Sequence, residues 1–153
     1  MNIELRWMTS GDSTTIQAAS YLFDDDVQRD WAEKFLRQGN HHLCIAFVDE
    51  EAAGFVSGVE ITHPDKGTEM LLYELGVDAD YRRHGIGRSL AVALRDFAQS
   101  RGCTGMWVPT DADNEPAIAM YRSTNPHEDA PTRILWWDLT TDDSSREDGS
   151  RAD

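Results

Sequence analysis

One stretch constrains the fold more than any other: LLYELGVDADYRRHGIGRSLAVALRDFA, residues 71–98. It begins with an apolar run that is typical of a central strand. A loop with two glycines follows. Apolar residues then recur at helical spacing, at Leu90, Ala91, Leu94 and Phe97. A strand, a glycine loop and a helix in direct succession predict a mixed α/β domain with this unit at its middle.

The same loop has the densest positive charge of the chain. Arg82, Arg83 and Arg88 surround Gly85 and Gly87. The first N–H groups of a helix have no intrahelical partner, the helix dipole adds partial positive charge, and glycine lets the backbone approach a phosphate closely. The pattern favours a phosphate site, and a glycine turn with solvated arginines is the alternative. It matches neither the dinucleotide fingerprint nor the Walker loop.

Charge and composition narrow the possible partners. The chain has 153 residues, enough for one compact domain, and a net charge of −14. A protein this acidic repels nucleic acid and anionic membranes and attracts cations, although solubility alone also explains the charge. No apolar signal core or membrane-length run is present, so we expect a soluble cytoplasmic protein. Cys44 and Cys103 are expected to be buried free thiols, and no metal-ligand spacing is found.

The remaining segments predict the element order β-α-α-β-β-β-α-β-α-β. Strands are expected at NIELRWM, in a hairpin that turns at Asp49-Glu50, at GMWVPT and at RILWWDL. Helices are expected over about residues 14–23, over DDDVQRDWAEKFLRQG with Val27, Trp31 and Phe35 on one face, and over NEPAIAMYRS. Residues 1–139 are predicted to form the domain. Residues 140–153 have no large apolar side chain, which predicts a disordered acidic tail.

Two motifs in this order resemble the GNAT superfamily of N-acetyltransferases. In that family a strand precedes Arg/Gln-x-x-Gly-x-Gly/Ala and a helix, and Arg82, Gly85 and Gly87 stand at those positions. The family's later motif, an asparagine before a short helix that contains a tyrosine, is matched at Asn114 and Tyr121. A narrower resemblance, to gentamicin-type aminoglycoside 3-N-acetyltransferases, is carried by YELGVDADYRRHGIG, TDADNEPAIAMY and the closing WWDL.

The resemblance implies a fold and a cofactor. The fold is a mixed central sheet of about six to seven strands flanked by about four helices, with a V-shaped splay of two strands at the cofactor site. The cofactor is acetyl-CoA, with its pyrophosphate on the glycine loop and its pantetheine arm along the strand, where an N–H of Leu75 or Val77 would polarise the thioester carbonyl. Asn114 is equally well explained as a helix cap. The implied cofactor-binding residues are Leu75, Gly76, Val77, Arg82, Arg83, His84, Gly85, Ile86, Gly87, Arg88, Asn114, Ala117 and Tyr121.

The resemblance also implies the chemistry. Tyr121 would be the general acid for the departing thiolate, and a core aromatic is its alternative role. Glu74 would accept a proton from the attacking amine, directly or through water, and an ion pair with a nearby arginine is the alternative. An anionic cleft for a polycation would be formed by Asp24, Asp25, Asp26, Glu74, Asp111 and Asp113, each of which is otherwise a solvated loop residue or a helix cap.

These residues predict an acetyl-CoA-dependent N-acetyltransferase that acetylates an aminoglycoside, at its 3-amino group, and so confers resistance. The alternatives are an acetyltransferase for another amine (a polyamine, a small metabolite or a protein N-terminus) and a non-catalytic acyl-CoA-binding domain.

Relatives are often dimers, so a homodimer is expected. One of Trp136 and Trp137, which point to opposite faces of a strand, would be available for that contact. Relatives commonly have a glycine turn after the tyrosine, and Asn125 is suited to replace it.

Overall fold

A computed structural model of the chain describes residues 1–140. Apart from the exposed Thr140, the predicted tail lies outside the described residues. Five strands are present: β1 (Ile3–Trp7), β2 (His41–Val48), β3 (Glu51–His63), β4 (Gly67–Val77) and β5 (Met106–Trp107). Four α-helices accompany them: α1 (Ser13–Ala18), α2 (Arg29–Arg37), α3 (Ile86–Ser100) and α4 (Glu115–Arg122). Within this part of the chain, no helix is long and apolar enough to cross a membrane.

The strands form one mixed sheet in the order β1-β2-β3-β4-β5. Neighbouring strands from β1 to β4 are antiparallel, whereas β5 runs parallel to β4. The predicted hairpin is confirmed, because β2 and β3 are joined at Asp49 and Glu50, whose φ angles are 48° and 67°. Two positive φ angles are typical of the type I′ turn that suits the twist of a two-residue hairpin. The mixed α/β architecture is as expected.

Each face of the sheet has its own core. On one face, the apolar side of α3 packs on β2, β3 and β4, with Leu90 and Leu94 fully buried against Met70 and Leu72. On the other face, α1 and α2 cover β2 and β3, and Phe55 is the largest fully buried side chain. Cys44 lies in the first core as a free thiol, as predicted, and burial raises its pKa to about 12.

Two expectations about the strands are wrong. The segment RILWWDL is not a strand, since residues 131–139 have no regular secondary structure and are exposed. The predicted strand GMWVPT is reduced to Met106–Trp107. The described sheet therefore has five strands rather than six to seven. A period-two apolar pattern predicts the capacity to pair, but it does not supply the partner strand, and no described strand lies beside residues 131–139.

The early helices also differ from expectation. Instead of one helix over about residues 14–23, α1 ends at Ala18 and a 3₁₀ turn follows over Ser20–Leu22. The second helix begins only at Arg29, so Val27 lies before it. The spacing of four residues between Val27 and Trp31 therefore does not place them on one face of this helix. Trp31 is exposed, and Ala32 is the buried residue of this helix.

Candidate active site

A β-bulge in β4 sets the direction of the side chains at the site. Ser57 of β3 is paired with Glu74, but its neighbour Gly58 is paired with Leu72, so Tyr73 is an extra residue in β4. A bulge of this kind changes which residues share a face. Leu75 and Val77 pack on the α3 side of the sheet, and Glu74 is therefore turned to the face that carries the 3₁₀ turn.

Gly76 allows the 3₁₀ turn to sit directly on this part of the sheet. A Cβ at Gly76 would lie 2.8 Å from Cε1 of Phe55 and 3.3 Å from the carbonyl oxygen of Leu22. Only glycine accommodates both contacts without displacement of backbone. Because Leu22 approaches the sheet so closely, Asp24 and Asp25, which follow it, lie near enough for their charges to act on Glu74.

The pKa of Glu74 depends on its burial and on the acidic loop, which we define as Asp24, Asp25 and Asp26. Burial raises the pKa of the Glu74 carboxyl, and the charges of Asp24 and Asp25 raise it further. A carboxyl group whose pKa is raised accepts a proton more readily than an exposed one, which suits a general base. The alternative ion pair with an arginine is absent among residues 1–140. Asp26 is exposed next to this pair, and its carbonyl accepts a hydrogen bond from Gln28.

The backbone of the two later aspartates belongs to the turn before α4. Carbonyl oxygens of Asp111 and Asp113 accept the N–H groups of Asn114 and Glu115 at 3.0 and 2.9 Å and so shape the turn before α4. The charges that act on Glu74 come from Asp24 and Asp25 instead. Asn114 is a helix cap, as one of its two interpretations held, because its Oδ1 accepts the N–H of Ala117 at 3.3 Å.

β4 and β5 separate just before the bulge. They are paired only at Met70 with Met106 and at Leu71 with Trp107, while β4 continues to Val77. Within the described residues, the second half of β4 has no strand on this side. The N–H of Asp78 donates to Ala53 of β3 at 2.9 Å. Because N–H directions alternate along a strand, those of Leu75 and Val77 point the other way, into the gap.

The glycine loop ends at the first turn of α3. Gly85 is the N-cap residue, with φ of 78° and no side-chain cap bond. Arg83 also has a positive φ, 65°, so two residues of this short loop have the left-handed conformation. A Cβ at Gly87 would meet Leu75 and Val77 at 3.6 Å, so this glycine faces the separated strand. The N-terminus of α3 is therefore open to an anion next to the gap.

Arginines surround this helix terminus. The Nε of Arg82 donates to the carbonyl oxygen of Val77 at 3.3 Å, which anchors the loop to the end of β4. Arg83 and Arg88 are exposed, and neither has an ion pair among residues 1–140. A ring nitrogen of His84 lies 3.2 Å from the carbonyl oxygen of Tyr81, so this side chain contacts the preceding turn.

Tyr121 lies at a cavity of about 540 Å³ between α4, the segment after β5 and residues 126–132. Its ring packs on the α3-side core, and burial raises its pKa to about 12, so the phenol is protonated at neutral pH. Its hydroxyl has no hydrogen bond within residues 1–140. A phenol that is anchored by its ring and unpaired at its oxygen is available as a proton donor. Glu74 and the glycine loop lie outside this cavity.

Two features of the site were missed in the sequence. The bulge at Tyr73 had one signal: the core-facing Leu72 and Leu75 are three residues apart, whereas one face of a regular strand repeats every two. The other is the ion pair at 2.6 Å between Arg122 and Asp129, which holds the segment 126–132 over the cavity. No local pattern marks that pair. Among residues 1–140, no cluster of three or more potential metal ligands is found.

Three comparisons place the chain among known proteins. The ribosomal protein bS18-alanine N-acetyltransferase of Escherichia coli (strain K12) is 31% identical over 120 residues, which are 76% of this chain and 77% of that protein. An aminoglycoside acetyltransferase from an uncultured soil metagenomic sample, solved in complex with sisomicin, superposes with a TM-score of 0.83 at 20% identity, over 90% of this chain and 96% of that one. A ribosomal-protein-alanine N-acetyltransferase from Brucella melitensis biovar Abortus 2308 superposes with a TM-score of 0.68 at 21% identity, over 89% and 100% of the two chains.

The solved structures share the fold of this chain, and the Escherichia coli protein is similar to it in sequence over about three quarters of each chain. The profile of the acetyltransferase (GNAT) family matches residues 5–125, which include the bulged strand, the glycine loop and Tyr121. The chain belongs to the acetyltransferase (GNAT) family.

Proposed function

We propose that the protein is an acetyl-CoA-dependent N-acetyltransferase whose acceptor is a polycationic amine, with aminoglycosides as the first candidate class. The observation that carries the proposal is the group formed by Glu74, Asp24 and Asp25 on one face of the sheet, beside the gap between β4 and β5. A carboxyl group held among other carboxylates attracts a cationic amine and can also take its proton.

The residues present fit acetyl-CoA. Diphosphate is an anion, and the open first turn of α3 with Arg83 and Arg88 offers backbone donors and positive charge. The gap beside β4 offers the N–H groups of Leu75 and Val77 to an extended chain with amide groups, as an added strand would use them. Bound acetyl-CoA supplies an acetyl group that is activated as a thioester.

The chain's own residues would then do three things. Glu74 accepts the proton of the ammonium form of the acceptor, directly or through water, and so provides a nucleophilic amine. An N–H of Leu75 or Val77 stabilises the negative charge that develops on the acyl oxygen. Tyr121 keeps its proton at neutral pH and donates it to the sulfur that leaves.

A thiol-release assay over a panel of acceptors tests this proposal. Purified protein is given acetyl-CoA with gentamicin, with spermidine or with a basic peptide that begins with alanine. We expect turnover with gentamicin, and NMR of the product should place the acetyl group on the 3-amino nitrogen. The resemblance of YELGVDADYRRHGIG to 3-N-acetyltransferases supports this position. A protein that binds acetyl-CoA but releases no thiol with any of the acceptors would be a non-catalytic acyl-CoA-binding domain.

A second candidate acceptor is the α-amino group of a protein. It is favoured by the sequence relative, a ribosomal protein bS18-alanine N-acetyltransferase that is 31% identical to this chain. The acidic group around Glu74 suits a basic N-terminal peptide as well as it suits an aminoglycoside. Turnover with the peptide and none with gentamicin would assign this second function.

A further inference from the structure

Tyr81 connects the glycine loop to the hairpin between β2 and β3. Residues 79–85 of this loop lie between β4 and α3, and all of them except Tyr81 are exposed. The Tyr81 ring packs on the α3-side core, and its hydroxyl donates a hydrogen bond to a carboxylate oxygen of Glu51. Among residues 1–140, the other hydrogen bonds of the loop stay within it or reach the adjoining ends of β4 and α3. The bond to Glu51 therefore links the loop to a distant part of the chain.

We propose that Tyr81 and Glu51 are positioning residues for the cofactor, because the hydrogen bond between them holds the glycine loop in the conformation that receives the diphosphate of acetyl-CoA. The inference rests on the cofactor part of the proposed function and does not depend on which amine is acetylated. It adds two residues that act through the backbone of the loop rather than through contact with the ligand.

Glu51 is presented by a hairpin whose backbone is well defined. It follows the turn at Asp49 and Glu50, and it is paired with Val48 across the hairpin. The carboxylate of Glu50 is ion-paired with Arg6 of β1 at 2.8 Å, which ties the turn to the edge strand. A hydrogen bond to this hairpin therefore holds the loop against the sheet itself.

The loop needs contacts outside itself because its backbone conformation is unfavourable. Arg83 is a non-glycine residue with φ of 65°, and such a conformation persists only when the surrounding structure imposes it. One fixed point is the N–H of Asp78, which donates to the carbonyl oxygen of Ala53 at 2.9 Å. Tyr81 is the second, two residues before Arg83, and it reaches Glu51 of the same strand, β3. Without its hydroxyl, residues 79–85 would be held only at their ends and by the Tyr81 ring.

Loss of this bond should appear as a weaker apparent affinity for acetyl-CoA. The bond to Glu51 is the largest of the causes that raise the pKa of Tyr81 to about 12, so the hydroxyl is a donor at neutral pH. A hydrogen bond to a carboxylate is stronger than one between neutral groups. Because only the ordered loop offers the diphosphate site, the apparent Kd rises by the reciprocal of the ordered fraction. A loop that is ordered about a tenth of the time binds about tenfold more weakly.

Calorimetry of acetyl-CoA binding to the wild type and five variants tests the inference. Tyr81→Phe removes the donor, Glu51→Ala removes the acceptor, and their combination removes both. Glu51→Gln keeps an oxygen that can accept the bond. Tyr21→Phe is the matched control, because its hydroxyl donates to the carbonyl oxygen of Ala52, the next residue of β3, while Tyr21 itself lies in the 3₁₀ turn and not in the glycine loop. Thermal unfolding is measured in parallel, so that every titration is made on folded protein.

We expect Tyr81→Phe and Glu51→Ala each to weaken acetyl-CoA binding by about tenfold, and the double variant to be no weaker than either. Glu51→Gln and Tyr21→Phe should stay within about twofold of the wild type. In steady-state assays, the loss should appear in the KM for acetyl-CoA rather than in kcat. In the protein without acetyl-CoA, the amides of residues 82–87 should exchange with solvent faster in Tyr81→Phe than in Tyr21→Phe.

An unchanged affinity in Tyr81→Phe, with lower thermal stability alone, overturns the inference, because the bond would then only stabilise the fold. Losses that multiply in the double variant overturn it too, and so does an equal loss in Tyr21→Phe. A wild type that does not bind acetyl-CoA overturns the proposed function as well. Absence of turnover with every acceptor, together with the expected change in affinity, contradicts the proposed function and leaves this inference standing.

Discussion

The Tyr121→Phe variant distinguishes the two roles considered for Tyr121, which are proton donor and core aromatic. The hydroxyl has no hydrogen bond within residues 1–140, while the ring packs on the α3-side core, and phenylalanine keeps that ring. We therefore expect the free energy of unfolding to change by less than about 0.5 kcal/mol. Turnover should fall by about 10²- to 10⁴-fold if the hydroxyl supplies the proton, equivalent to about 3–5 kcal/mol in the barrier.

The assay is steady-state thiol release, with acetyl-CoA affinity measured in parallel by calorimetry. Tyr21→Phe is the matched control, because its hydroxyl donates to the carbonyl oxygen of Ala52 at 2.6 Å. That variant should lose about 1 kcal/mol of stability and keep its turnover. Because the pKa of Tyr121 is about 12, the wild-type rate should not fall through loss of its proton between pH 7 and 9. If Tyr121→Phe turns over within about twofold of the wild type, far below the range expected for general acid catalysis, the tyrosine is only a core residue.

Four further variants address the acidic group and the glycine loop. Glu74→Gln should lower turnover but raise thermal stability at pH 7. The folded-state pKa of Glu74 is raised above its usual 4.5, so its ionisation opposes folding; the advantage of glutamine should vanish below pH 4.5 in denaturation scans. Asp24→Asn with Asp25→Asn should lower the pKa of Glu74, which shifts the acidic limb of the kcat/KM profile to lower pH, and should flatten the rise of acceptor KM with salt. Gly85→Val should weaken acetyl-CoA binding and should also lower the free energy of unfolding by about 1–3 kcal/mol, because Gly85 has φ of 78°. Gly87→Ala should change the acetyl-CoA affinity measured by calorimetry only slightly, because its added Cβ would lie 3.6 Å from the nearest side chains.

The centre of the fold was predictable because its signals are local. The apolar run of β4, the glycines and the apolar face of α3 follow one another directly, and the structure has them as expected. Asn125 was expected to replace a glycine, and its φ is 57°. The left-handed conformation is accessible to asparagine at little cost, so residue type alone indicated this turn.

The features that depend on distant partners were not predictable. The bulge at Tyr73 depends on how β3 and β4 pair, and its consequence is that Glu74 faces Asp24 and Asp25. The sequence has acidic residues at several positions, but only tertiary packing decides that Asp24 and Asp25 are the ones whose charges raise the pKa of Glu74. The strand expected at RILWWDL was wrong because an alternating apolar pattern shows only that a segment can pair. The described chain provides no partner strand for it.

A competition experiment tests most directly whether this site selects a polycationic small molecule. Wild-type protein and acetyl-CoA are mixed with gentamicin and a basic peptide that begins with alanine, at equal concentrations, and both products are followed in one reaction by mass spectrometry. The ratio of the initial rates equals the ratio of the two kcat/KM values. We expect gentamicin to gain one acetyl group well before the peptide does. Acetylation of the peptide alone, at its α-amino group, would contradict this expectation.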